Sequence, residues 1–114
     1  MKSVVNKPWG FFEIIDGGNK YIIKKIIVNP GAQLSLQSHK HRSEHWLIAE
    51  GSAEVIIDKK TYNLIENDNI FIPLGAKHRL ANTGSQNLIV IEMWFGDNLD
   101  ENDIKRYEDI YGRE

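Results

Sequence analysis

The stretch Gln37-Ser38-His39-Lys40-His41-Arg42-Ser43-Glu44-His45 holds three of the four histidines of the chain within seven residues. It continues the run Gln33-Leu34-Ser35-Leu36, in which polar and apolar residues alternate. On an extended strand successive side chains take opposite faces. Gln33, Ser35, Gln37, His39 and His41 are therefore expected on one side, and Leu34 and Leu36 on the other. A polar row of that length is either a solvated sheet face or a row of ligand side chains lining the inside of a barrel.

The rest of the chain favours strands. Its 114 residues suit one domain with one core. Ile and Val together number 21 against 13 Leu plus Ala, and a β-branched excess of that kind suits a pleated surface. Short strand-like runs lie at 11–15, 21–28, 33–41, 46–49, 53–57, 69–72 and 87–95. Turn-forming clusters separate them, such as Asp16-Gly17-Gly18-Asn19, Asn29-Pro30-Gly31, Asp58-Lys59-Lys60 and Asn82-Thr83-Gly84. This spacing predicts an all-β sandwich or barrel. Charge is unevenly placed: residues 1–96 carry 11 basic and 9 acidic side chains, and residues 97–114 carry 3 and 7. Asp100 to Asp103 read as N-cap and first-turn acids, Ile104, Tyr107 and Tyr111 as an apolar stripe, and Gly112 as a stop, so a helix is expected over about 100–111.

Composition also excludes several chemistries. A net charge of −2 gives no basic face for nucleic acid. The longest aliphatic run, Leu88-Ile89-Val90-Ile91, is far too short to cross a bilayer, and the first residues lack a signal-like apolar stretch. A cytoplasmic protein is expected. With no cysteine, thiolate sites and Cys nucleophiles are absent, and any metal must be held by His, carboxylate or amide oxygen.

The spacing resembles the cupin pattern in both halves: Gly31, Gln37, His39, Glu44 and Gly51, then Pro73, Gly75, His78 and Asn82. Gln37 stands where the first histidine of that pattern is usual, and Asn67 where its second half has glycine. The resemblance implies a jelly-roll (double-stranded β-helix) barrel over about 7–96 within one domain, 1–114. It also implies a metal set of Gln37, His39, Glu44 and His78. Such an oxygen and nitrogen set takes one divalent ion, Zn first, with Mn, Co, Fe or Ni as others it suits.

Whole strings narrow this. Lys7-Pro8-Trp9-Gly10, Pro30 to Gln37, His39 to Trp46, Ile72 to Asn82 and Tyr111-Gly112-Arg113 resemble the type II mannose-6-phosphate isomerase domain. In that family the domain commonly forms the C-terminal part of bifunctional mannose-1-phosphate guanylyltransferases. Metal-dependent interconversion of mannose 6-phosphate and fructose 6-phosphate is then implied. His41 is the expected base, Arg79 and Lys24 are further catalytic candidates, and Arg42 and Arg106 are the expected substrate cations. Two other readings stand beside it: a non-catalytic cupin that binds a sugar phosphate, and an isomerase or epimerase of another phosphorylated sugar. Glu92-Met93-Trp94 departs from the family's Glu-Val-Gln, placing a large aromatic where an amide is usual. Trp9, Phe11 and Phe12 supply apolar material for an expected homodimer.

Overall fold

A computed structural model describes residues 3–113. Eleven strands make it up: β1 (Ser3–Lys7), β2 (Gly10–Gly17), β3 (Tyr21–Val28), β4 (Leu36–Ser38), β5 (Ser43–Glu50), β6 (Ala53–Ile57), β7 (Lys60–Leu64), β8 (Asn69–Ile72), β9 (His78–Asn82), β10 (Leu88–Phe95) and β11 (Lys105–Glu108). They form a six-stranded sheet in the order β1-β2-β3-β10-β5-β8 and a five-stranded sheet in the order β11-β4-β9-β6-β7. Neighbouring strands pair antiparallel throughout. Among the described residues no helix is long and apolar enough to cross a membrane.

Alternation along the strands decides what each end of the barrel holds. On β10 the inward residues are Leu88, Val90, Glu92 and Trp94; on β5 they are Ile48, Trp46 and Glu44; on β3 they are Val28, Ile26 and Lys24. The register places Leu88 opposite Val28, Val90 opposite Ile26 and Ile48, Glu92 opposite Lys24 and Trp46, and Trp94 opposite Glu44. One continuous inward face therefore passes from an aliphatic layer to a charged one along the barrel axis. The aliphatic end, with Val55 and Leu80 from the facing sheet, is the hydrophobic core. Burial of that apolar area is the main stabilising term, and it leaves the charged end free for chemistry.

Two expectations fail, for one connected reason. No helix forms over 100–111; β11 and turns occupy that stretch. β11 pairs with β4 through Arg106 opposite Gln37 and Lys105 opposite Ser38, with a bulge before Glu108. The acids expected to open a helix serve elsewhere: the Asp103 carboxylate accepts from the backbone N–H groups of Lys40 and His41, both at 2.9 Å. Ile104 faces the cavity described below, while the Tyr107 hydroxyl lies 2.9 Å from the Ser38 hydroxyl, so the apolar stripe is divided between two sides. Likewise the strand expected over 33–41 is regular only at Leu36–Ser38. Residues 31–34 run beside β9 through Gly31 N–H to the Asn82 carbonyl and Leu34 N–H to the Leu80 carbonyl. Leu34 and Gln37, three apart, both face the cavity, so the strict two-residue period is broken, and beyond Ser38 the chain turns away.

Candidate metal and substrate site

The charged end of the barrel opens into a cavity of about 220 Å³. Glu44 is its centre. One carboxylate oxygen accepts from Trp46 Nε1 at 2.8 Å; the other accepts from Arg42 Nε at 2.8 Å and lies 3.2 Å from His39 Nε2. Burial alone would raise its pKa, but the Arg42 charge first, with the two imidazoles as they protonate in acid, outweighs that and brings it to about 2. At neutral pH Glu44 is ionised.

Both buried histidines are oriented from behind. His39 Nδ1 is 2.7 Å from the Asp103 carbonyl and His78 Nδ1 is 2.9 Å from the Ala76 carbonyl. A carbonyl only accepts, so each Nδ1 is the donor in that bond and each Nε2 is the ring nitrogen left for another partner. Burial lowers the His39 pKa to about 4, against a partial opposing effect of Glu44, so its ring is neutral at pH 7. The two rings are 4.9 Å apart between centroids, and Trp46 meets His78 edge-on at 5.6 Å. The ligating atoms of His39, Glu44 and His78 all lie within 4.8 Å of one another. Gln37 stands directly opposite His78 across β4 and β9, and its Nε2 donates to Ser35 Oγ at 3.0 Å, leaving Oε1 as an acceptor. Two imidazole nitrogens and one carboxylate, with no thiolate, are a donor group that could hold a divalent cation of the borderline class. The Arg42 guanidinium lies across this donor group: its Nη2 is 3.2 Å from His39 Nε2 while its Nε holds Glu44.

A second Glu-x-Trp unit faces the first. Trp94 Nε1 donates to Glu92 at 2.7 Å, as Trp46 does to Glu44, and the antiparallel pairing sets Glu44 opposite Trp94 and Trp46 opposite Glu92. Glu92 is pushed well above the carboxylate range, first by burial and then by the Glu44 charge. The Trp94 ring is flanked by two cations, Lys24 Nζ at 3.6 Å and the Arg42 guanidinium at 3.4 Å. The repeated string Glu44-His45-Trp46 and Glu92-Met93-Trp94 is the sequence signal for this pairing.

The other expected residues divide. Lys24 is buried on the inward face of β3 and lines the cavity, as do Arg42 and Arg106. His41 does not join them: it is exposed, and its backbone is tied to Asp103 and packed against Gly96, where a Cβ would sit 2.2 Å from the His41 carbonyl oxygen. Arg79 also points away. It follows His78 on β9 and so takes the opposite face, where it lies 3.9 Å from Glu54. Its position beside a ligand in the chain is what turns it from the cavity. Asp103 and Glu101, which position His39 and Lys24, lie on the segment read as a helix start.

Residues 1–109 match the family described as mannose-6-phosphate isomerase, C-terminal. The alginate biosynthesis protein AlgA of Pseudomonas aeruginosa is 49% identical over 109 residues, covering 96% of this chain and 23% of that protein. The mannose-1-phosphate guanylyltransferase ManC of Salmonella typhimurium is 47% identical over 113 residues, covering 99% of this chain and 24% of that protein. The chain thus spans about a quarter of the length of these relatives. In fold it is similar to the cupin domain of Cnp3 from Schizosaccharomyces pombe, with a TM-score of 0.69 at 16% identity, covering 75% of this chain and 65% of that one.

Proposed function

The chain belongs to the mannose-6-phosphate isomerase C-terminal family, and from that premise we propose that it is an aldose–ketose isomerase acting on mannose 6-phosphate and fructose 6-phosphate. The buried cluster of His39, Glu44 and His78, with both Nδ1 atoms held by backbone carbonyls, is the observation that carries the reading. In this proposal Gln37 completes the set that would hold one divalent ion, Zn first. A bound ion would supply Lewis-acid polarisation of the substrate oxygens at C1 and C2.

This chain's own residues supply the rest. Carbonyl migration from C1 to C2 needs a proton removed from C2 and returned to C1, with negative charge passing through an enediolate. His41 is turned to solvent, so Glu92 takes the proton-carrying role: apart from the ligands, it is the carboxyl buried within the cavity wall. Arg42, which lines the cavity beside Glu44, would supply a guanidinium for the enediolate charge. Trp46 and Trp94 close the cavity wall and fix the two carboxyls, which keeps the proton transfer away from bulk water.

Proton NMR in deuterated water tests the proposal. The Zn-loaded protein is expected to convert mannose 6-phosphate to fructose 6-phosphate with deuterium entering at the exchanging carbon, and His78→Ala and Glu92→Gln to abolish it. Absence of product with Zn, Co and Mn in turn, while the sugar phosphate still binds, would sink the isomerase reading and leave a sugar-phosphate-binding cupin.

A further inference from the structure

Lys24 is a buried cation with an exposed partner. Its side chain is 3% accessible and its Nζ sits between the rings of Phe12, 4.1 Å from the centroid, and Trp94, 3.6 Å away. Its ion pair is with Glu101 Oε2 at 2.5 Å, and that side chain is 52% accessible. The two groups respond differently to separation. Glu101 lies on the turn between β10 and β11 and can swing into water at little cost. Lys24 cannot follow it. Glu92 stands opposite on β10, but that carboxyl is held by Trp94 Nε1. Without Glu101 the buried ammonium is left without a hydrogen-bonded anion, which is disfavoured. Whatever anion enters the cavity therefore competes for Lys24 with a carboxylate that is easily dislodged.

The same cavity holds a donor with nothing bound to it. Arg106, on β11 opposite Gln37, lines the cavity, and its Nε is buried without a hydrogen-bond partner. The neighbouring guanidinium groups are committed: Arg42 to Glu44, and Arg113 to Asp109 through Nε and Nη2 at 2.8 and 3.1 Å. We propose that Lys24 and Arg106 form the seat of the substrate's phosphate monoester, and that the Glu101 carboxylate occupies this seat until the phosphate displaces it. The inference rests on the sugar-phosphate reading above and deepens it. A dianion with three acceptor oxygens satisfies both Lys24 and the orphaned Arg106 donor, which a single carboxylate does not. Entry of substrate would then also detach the turn from the cavity wall, so binding and opening are one event.

Calorimetric titration of inorganic phosphate at fixed ionic strength tests this without turnover. Glu101→Gln keeps the shape and removes the competing charge, and it is expected to bind phosphate about tenfold more tightly than the parent chain. Glu101→Ala is expected to behave alike. Lys24→Met is expected to lose at least about tenfold in affinity, and Arg79→Ala, on the outer face, to lose nothing. Mannose, which lacks the phosphate, is expected to gain nothing from Glu101→Gln; an equal gain for mannose would mean a steric gate rather than an anion seat and would overturn the proposal. So would a Glu101→Gln affinity no higher than the parent's, or equal losses for Lys24→Met and Arg79→Ala. Should Lys24→Met fail to fold by circular dichroism, the two Glu101 variants decide alone. The predicted phosphate pattern without any deuterium incorporation would leave the seat standing and remove the isomerase reading.

Discussion

The cavity has two unlike walls. One is made from the long strands β3, β5 and β10, each paired on both sides, which carry Lys24, Glu44, Trp46, Glu92 and Trp94. The other is the segment 97–113, with a four-residue strand between turns held by side chains of Asp100, Asp103 and Asp109. The first wall buries its charges and sets them side by side, Arg42 on Glu44 and Glu92 opposite Lys24. The second uses its acids on backbone N–H groups and, at Asp109 and Glu101, on the cations Arg113 and Lys24. Chemistry that must not move sits on the strands, and contacts that must be exchanged sit on the segment that costs least to shift.

Substitutions can break or sharpen that contrast. Glu44→Ala should have the largest effect, about 3–5 kcal/mol by urea unfolding, because it leaves the buried Arg42 guanidinium without its carboxylate and Trp46 Nε1 without an acceptor. Asp103→Ala should cost less, about 1–2 kcal/mol, through the two amides of Lys40 and His41. Hydrogen exchange should then quicken at those amides and leave β5 and β10 protected. Equal losses for the two variants, or exchange spreading through the strands, would erase the distinction between the walls. Acid should act on the second wall in a defined window. Hydrogen bonds from Arg113, outweighing burial, lower the Asp109 pKa from 3.8 to about 2. A depressed carboxylate contributes stability that is complete above its unfolded value and lost as pH falls through its folded one. Tyr111 fluorescence or side-chain NMR should therefore report loosening of the C-terminal turn between about pH 4 and 2, and Asp109→Asn should flatten that profile. Smallest of all, Arg79→Ala should change stability by no more than about 0.5 kcal/mol, since its Glu54 contact is 3.9 Å long and partly exposed.

The same contrast explains what could be read in the sequence. Strands 21–28, 53–57 and 69–72 were legible to the residue, because apolar periodicity bounded by turn residues records burial directly. His39, Glu44 and His78 were legible as a spaced set, and they do converge. Residues whose role depends on the second wall were not. Asp100 and Asp103 look alike whether they cap a helix or a neighbouring loop, and only the pairing of β11 with β4 settles which N–H groups they meet. His41 followed from extending a two-residue period past Ser38, where the strand ends. Arg79 followed from adjacency to His78, although on a strand adjacent residues face apart. Glu92 carried a signal, the repeated Glu-x-Trp, but its meaning needed the antiparallel register that crosses the two units.

Arg42 has a bearing on how the protein is made. Small metal domains often stay unfolded until an ion arrives, since their ligands repel or strand one another without it. Here a guanidinium supplied by the polypeptide already bridges Glu44 and His39, so the newly synthesised chain carries its own counter-ion and can fold before metallation. In the metal-dependent reading proposed above, loading would be an exchange of one cation for another rather than the filling of a void. An ion would then have to displace the arginine from Glu44 and His39, so selectivity would rest on a difference the chain itself can tune.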